Sequence, residues 1–115
     1  MSGETIFDKI LRREAKADIV YEDDHVLAFR DIHPQAPVHV LVIPKTRARS
    51  VADLADRDPS EAGVFLRAVG LVAKQLGLAE GGYRVVINCG RDAQQSVDYL
   101  HAHILAGRKL GWPPG

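Results

Sequence analysis

Apolar positions along the chain change period several times, and each change marks an element. Ile6, Phe7, Ile10 and Leu11 recur at helical spacing behind Thr5, which can cap them together with Asp8. "DIVYE" and "HVLAFR" read as two strands around the turn-like Asp23-Asp24. "PVHVLVIP" is a β-branched strand closed by Pro44, "KTRARS" is a polar loop, and Val51–Leu54 suits a short helical turn. The clearest helix opens at Asp58-Pro59: Asp58 is a good N-cap, Pro59 fits the first turn, and Glu61 is expected to complete a capping box. Phe65, Val69, Val72 and Leu76 form its apolar face, and Gly77 stops it. "YRVVIN" is the next strand, "CGRDAQQ" a loop, and Val97–Leu105 the last strand. The tail at 106–115, "AGRKLGWPPG", carries too much Gly and Pro for regular structure.

Consecutive strands with short connections favour an antiparallel sheet with helices beside it. The expectation is one α+β domain over residues 1–115, a length that suits one domain.

Composition narrows the function classes. Fifteen basic residues balance fifteen acidic ones, so no excess positive charge argues for a nucleic-acid partner. A small anion could still bind through local dipoles and imidazoles. No apolar run is long enough to span a bilayer, and the charged start does not suit a signal peptide. Cys89 is the only cysteine, which excludes an intrachain disulfide and fits a reducing, cytoplasmic setting.

The candidate chemistry lies in "SVDYLHAHILAGR". Side chains alternate across a strand, so Leu100, Ala102 and Ile104 share one face and Tyr99, His101 and His103 the other. The two imidazoles are then about 7 Å apart at Cβ, close enough to act on one group. Alternation alone would fit the polar face of a half-exposed strand equally well. His101, His103 and His39 could also offer three metal nitrogens, but the spacing brings them no carboxylate or thiolate, so no metal is expected. Just before the strip stand Asn88, Gly90, Gln94, Gln95 and Ser96, whose amides, hydroxyl and backbone N–H groups suit an oxyanion or phosphate. No Walker motif or GxGxxG is present.

The ordered set "TIFDKILRRE", "YEDDHVLAFRDIHPQAPVHVLVIPK", "INCG", "QSV" and "WPPG" resembles the histidine triad superfamily, specifically its Hint branch, almost end to end. The resemblance implies a five-stranded antiparallel sheet with two main helices, continuous as ten strands across a homodimer. It implies binding of purine nucleoside monophosphates and hydrolysis of nucleoside phosphoramidates, without a cofactor. His101 is then the nucleophile and His103 the third histidine, on phosphate. Ser96 meets phosphate and the leaving nitrogen, and Asn88 the phosphate region, with Gln95 and Val97 beside them. Asp31 holds the ribose hydroxyls. Phe7, Ile10, Phe29 and Ile32 match the purine cleft, with Arg30 next to it. His39 supports the triad, and Trp112 matches a tail aromatic near the partner's site. Four positions depart from the family pattern: Tyr99 replaces the first triad histidine, Asp98 and Ala106 stand where Hint members usually have an aromatic and a glycine, and Arg47 falls where many Hint sequences carry another histidine, with no role assigned.

The competing readings are another histidine triad activity, such as dinucleoside polyphosphate hydrolysis or nucleotidyl transfer, and a binding module whose catalysis was lost with the first histidine. "WPPG" favours the Hint branch over the first. Retained His101, Ser96, His103 and Asp31 argue against the second.

Overall fold

The computed structural model describes residues 3–115. Five strands form one antiparallel sheet: β1 (Ile19–Glu22), β2 (Val26–Arg30), β3 (Val38–Pro44), β4 (Tyr83–Val86) and β5 (Ala102–Ala106). Their order across the sheet is β1-β2-β3-β5-β4. The helices are α1 (Ile6–Leu11), α2 (Val51–Leu54) and α3 (Pro59–Gln75).

Alternation along β2 and β3 feeds two cores. Val26, Ala28, Val40 and Val42 face α3, where Phe65, Val69 and Val72 meet Ala102 and Ile104. Leu27, Phe29, Leu41 and Ile43 face α1, where Phe7 and Ile10 meet Tyr99. Burial on both faces explains why β3 is an almost unbroken apolar run.

Caps fix the helix starts. In α1 the Thr5 hydroxyl accepts from the Asp8 N–H, and the Asp8 carboxylate accepts from the Thr5 N–H at 2.6 Å. Asp58 caps α3 by accepting from the Ser60 N–H. The expected box with Glu61 does not form, because the Glu61 carboxylate takes the Arg57 guanidinium at 3.0 Å instead.

The last strand is shorter than alternation predicts. It begins at Ala102, not Val97, because the backbone ahead of it bonds elsewhere: the Leu100 N–H donates to the Ala48 carbonyl at 2.7 Å. For the same reason β4 stops at Val86, which pairs with His103, leaving Ile87 and Asn88 without ladder partners. Ala106, expected in the tail, still pairs with Val38 and Tyr83. Gly107 then takes φ +95, and a Cβ there would meet Pro37 at 2.7 Å, so only glycine closes this strand.

Candidate functional site

On the α1 face a cleft of about 320 Å³ opens between the helix and the strand ends. Of the expected residues, Phe7, Ile10, Phe29, Arg30, Asp31, Ile32, Ser96, Val97 and His101 line it. Two of its apolar walls stand open to solvent, Ile32 at 84 % and Ile6 at 49 % exposure. Phe7, Ile10, Phe29 and Leu41 are buried beneath.

The strip is not the polar face of a half-exposed strand. Tyr99 and His101 are both buried. Phe7 places its ring edge against both, 6.1 Å from Tyr99 and 5.1 Å from His101 between ring centroids. His101 sits one residue before β5, and its Nδ1 lies 2.7 Å from the Tyr99 carbonyl oxygen. A carbonyl only accepts, so Nδ1 carries the proton and Nε2 keeps its lone pair. Burial lowers the His101 pKa, against smaller opposing effects of that hydrogen bond and of Asp31, which keeps the ring neutral near pH 7.

His103 is set the opposite way. The Gln35 backbone N–H donates to His39 Nδ1 at 3.0 Å, so a neutral His39 carries its proton on Nε2. That atom lies 2.9 Å from His103 Nδ1, which must then accept, leaving a proton on His103 Nε2. Burial, with His101 and His39 adding to it, lowers the His103 pKa to about 4, and burial also lowers that of His39. The two strip imidazoles, 5.0 Å apart, thus offer one lone pair and one N–H donor.

Asp31 supplies the carboxylate that spacing alone does not bring to the histidines. Its Oδ2 lies 3.4 Å from His39 Nε2, and its Oδ1 accepts from the His33 N–H at 2.8 Å. Asp31, His39 and His103 each have a donor atom within 4.8 Å of the others, a set able to hold a cation. This grouping differs from the three imidazoles weighed from the sequence, since His101 is not in it. The His39–His103 hydrogen bond already uses two of those nitrogens.

Other expectations fall outside the cleft lining. Gln95 spends its whole amide on the loop: Oε1 accepts from the Gly90 N–H, and Nε2 donates to the Arg49 and Val97 carbonyls. It braces the backbone that presents Ser96, and both its amide N–H groups are taken up by the loop. Asn88, His39 and His103 are not among the lining residues, and Trp112 is 80 % exposed, with the Arg84 guanidinium 5.8 Å from its ring centroid.

The cleft also contains residues the sequence reading missed: Ile6, Lys16, Ala17 and Leu41. Leu41 was accessible through alternation, as the cross-strand partner of Phe29. Lys16 and Ala17 lie between elements and carry no periodic signal. Arg47 also gains a place. It donates to the Asp8 carboxylate and to the Gly3 carbonyl, and its guanidinium carbon lies 5.6 Å from the Tyr99 ring centroid. Arg47 and Tyr99, two of the departures from the family pattern, pack together.

Residues 12–110 match the HIT domain family, and the chain belongs to that family. Among its relatives is the purine nucleoside phosphoramidase of Escherichia coli (strain K12), 47% identical over 111 residues, covering 96% of this chain and 93% of that protein. Another is the adenylylsulfatase HINT1 of Arabidopsis thaliana, 50% identical over 113 residues, covering 96% of this chain and 76% of that protein. A HIT family hydrolase from Legionella pneumophila Philadelphia 1 superposes with a TM-score of 0.90 at 42% identity, over 97% of this chain and all of that one. Among the described residues no helix is long and apolar enough to cross a membrane.

Proposed function

We propose that this protein is a purine nucleoside phosphoramidase, a hydrolase that opens the P–N bond of nucleoside 5'-phosphoramidates. One observation carries the reading. The neutral His101, fixed through Nδ1 to the Tyr99 carbonyl, lines the same cleft as Ser96, Asp31 and an apolar slot.

The base lies between Ile6, Phe7, Ile10, Phe29 and Ile32. The Asp31 carboxylate accepts from the ribose hydroxyls. Nε2 of His101 attacks phosphorus, the P–N bond breaks, and the amine leaves with a proton that solvent water supplies and the Ser96 hydroxyl relays. The product is a nucleotidyl-histidine on His101. Water then attacks phosphorus and gives up one proton to solvent through the same Ser96 relay, the P–Nε2 bond breaks with its electron pair returning to Nε2, and the monophosphate departs. His103 Nε2–H and the loop N–H groups around Ser96 hold the phosphate oxygens while charge moves. Every step uses groups of this chain and water. The chain works as a homodimer, with the exposed Trp112 covering the partner's site.

The relatives named phosphoramidase and adenylylsulfatase differ in the group that leaves. The amine is favoured here because Ser96 lines the reaction end of the cleft and can relay the proton that an amine needs on departure and a sulfate does not.

The test is rapid quenching during turnover of adenosine 5'-monophosphoramidate, followed by peptide mass spectrometry. Adenylyl label on the His101 peptide supports the reading, and turnover with label elsewhere or nowhere removes it.

A further inference from the structure

We propose that Lys16 makes this cleft selective for 6-oxopurine nucleotides by reading the O6 and N7 acceptors of guanine or hypoxanthine. The inference rests on the nucleotide reading above and deepens it.

Sheet order sets the direction of the ligand. His103 lies on β5, opposite Leu41 of β3, which lies opposite Phe29 of β2, which lies opposite Ile19 of β1. Those three steps span about 14 Å at the usual strand spacing of roughly 4.8 Å. Lys16 and Ala17 lead into β1, and the Arg30 N–H ties this lead to β2 by donating to the Asp18 carbonyl at 3.0 Å. A nucleotide whose phosphorus faces His101 therefore runs over Leu41 and Phe29 and points its base toward Lys16.

The walls near the base are hydrocarbon and cannot tell one purine from another. Two cations line that part of the cleft, Lys16 and Arg30. Arg30 is engaged by the Asp18 carboxylate at 3.4 Å. Lys16 makes no ion pair among the described residues, so its ammonium is the free donor. An ammonium has three N–H donors and no acceptor. Guanine and hypoxanthine present two adjacent acceptors on that edge, O6 and N7. Adenine presents N7 beside an amino donor, which opposes the cation. Lys16 is exposed, so the gain is modest and falls with salt.

Calorimetric titration of the full chain with GMP, IMP and AMP at low salt tests this without depending on turnover. GMP and IMP should each bind at least about fivefold more tightly than AMP, and in Lys16→Met both ratios should fall to about one. Equal affinities in the wild type, or ratios unchanged in Lys16→Met, overturn the inference alone. A preference for GMP that IMP does not share assigns discrimination to the 2-amino group and also overturns it. Failure to bind any of the three removes the nucleotide reading itself.

Discussion

Tyr99 holds His101 by its backbone: the Tyr99 carbonyl accepts from His101 Nδ1 at 2.7 Å, while the Tyr99 ring lies buried and its hydroxyl donates to the Pro44 carbonyl. The side chain at this position faces away from chemistry. Its phenol pKa is raised to about 12, chiefly by burial, so it exchanges no proton near neutrality. In the proposed mechanism this position contributes its backbone carbonyl, which any residue that packs in the slot supplies. Phe7 and Arg47 pack against the ring in that slot. Tyr99→Ala should cost about 3–5 kcal/mol of stability, as for other large buried aromatics, measured by chemical denaturation.

Stability should fall on mild acidification. The folded state disfavours the protonated forms of His39, His101 and His103, all lowered mainly by burial. Below pH 6.5 the unfolded chain binds more protons than the folded one, so stability drops as pH falls. From the ordinary 6.5 to the His103 value of about 4, that residue alone accounts for roughly 3 kcal/mol. Urea midpoints should be flat from pH 8 to 7 and decline steadily toward pH 4. Removing the ring in His103→Asn should flatten the slope.

Asp31→Ala should raise KM for nucleotide substrates far more than it lowers kcat. The lost charged hydrogen bonds are worth about 1.5–3 kcal/mol. A mutant with unchanged KM and reduced kcat would assign Asp31 to His39, which it approaches at 3.4 Å, instead of to ribose.

Cys89 is exposed at the start of the loop after β4 and does not line the cleft. Cys89→Ser should keep most activity, and a loss above about a hundredfold, near 2.7 kcal/mol of barrier, would contradict the scheme.

A homodimer should appear in equilibrium sedimentation at micromolar concentration. Trp112→Ala should change the preference among leaving amines more than it changes folding stability. A monomer in that experiment would remove Trp112 from the site.

Much of this architecture was legible in the chain because local signals agreed with tertiary ones. Thr5 and Asp8 cap α1 as their spacing predicts, Val51–Leu54 forms α2, and Gly77 takes φ +75 after α3. Strand ends were less legible, since they depend on a distant partner: no local signal says that Leu100 bonds Ala48 and so delays β5 to Ala102. The apolar slot and His101 could be read from the family pattern. The proton arrangement could not, because it begins at the Gln35 backbone N–H, a group every non-proline residue has. Nor could Lys16 or Arg47, whose places depend on how loops cross the sheet. The bracing role of Gln95 was hidden for a related reason: an amide suits a phosphate and a loop brace equally, and only the fold shows its bonds to Gly90, Arg49 and Val97.

In the proposed mechanism His101 performs the chemistry while Tyr99 only positions it. The direct measurement is kcat/KM on one nucleoside phosphoramidate for wild type, Tyr99→His and His101→Ala. Wild type should be active, and Tyr99→His should lie within about tenfold of it, near 1.4 kcal/mol. His101→Ala should lose at least a thousandfold, near 4 kcal/mol. An inactive wild type that Tyr99→His restores would contradict the account and show that the strip lacks a catalytic member.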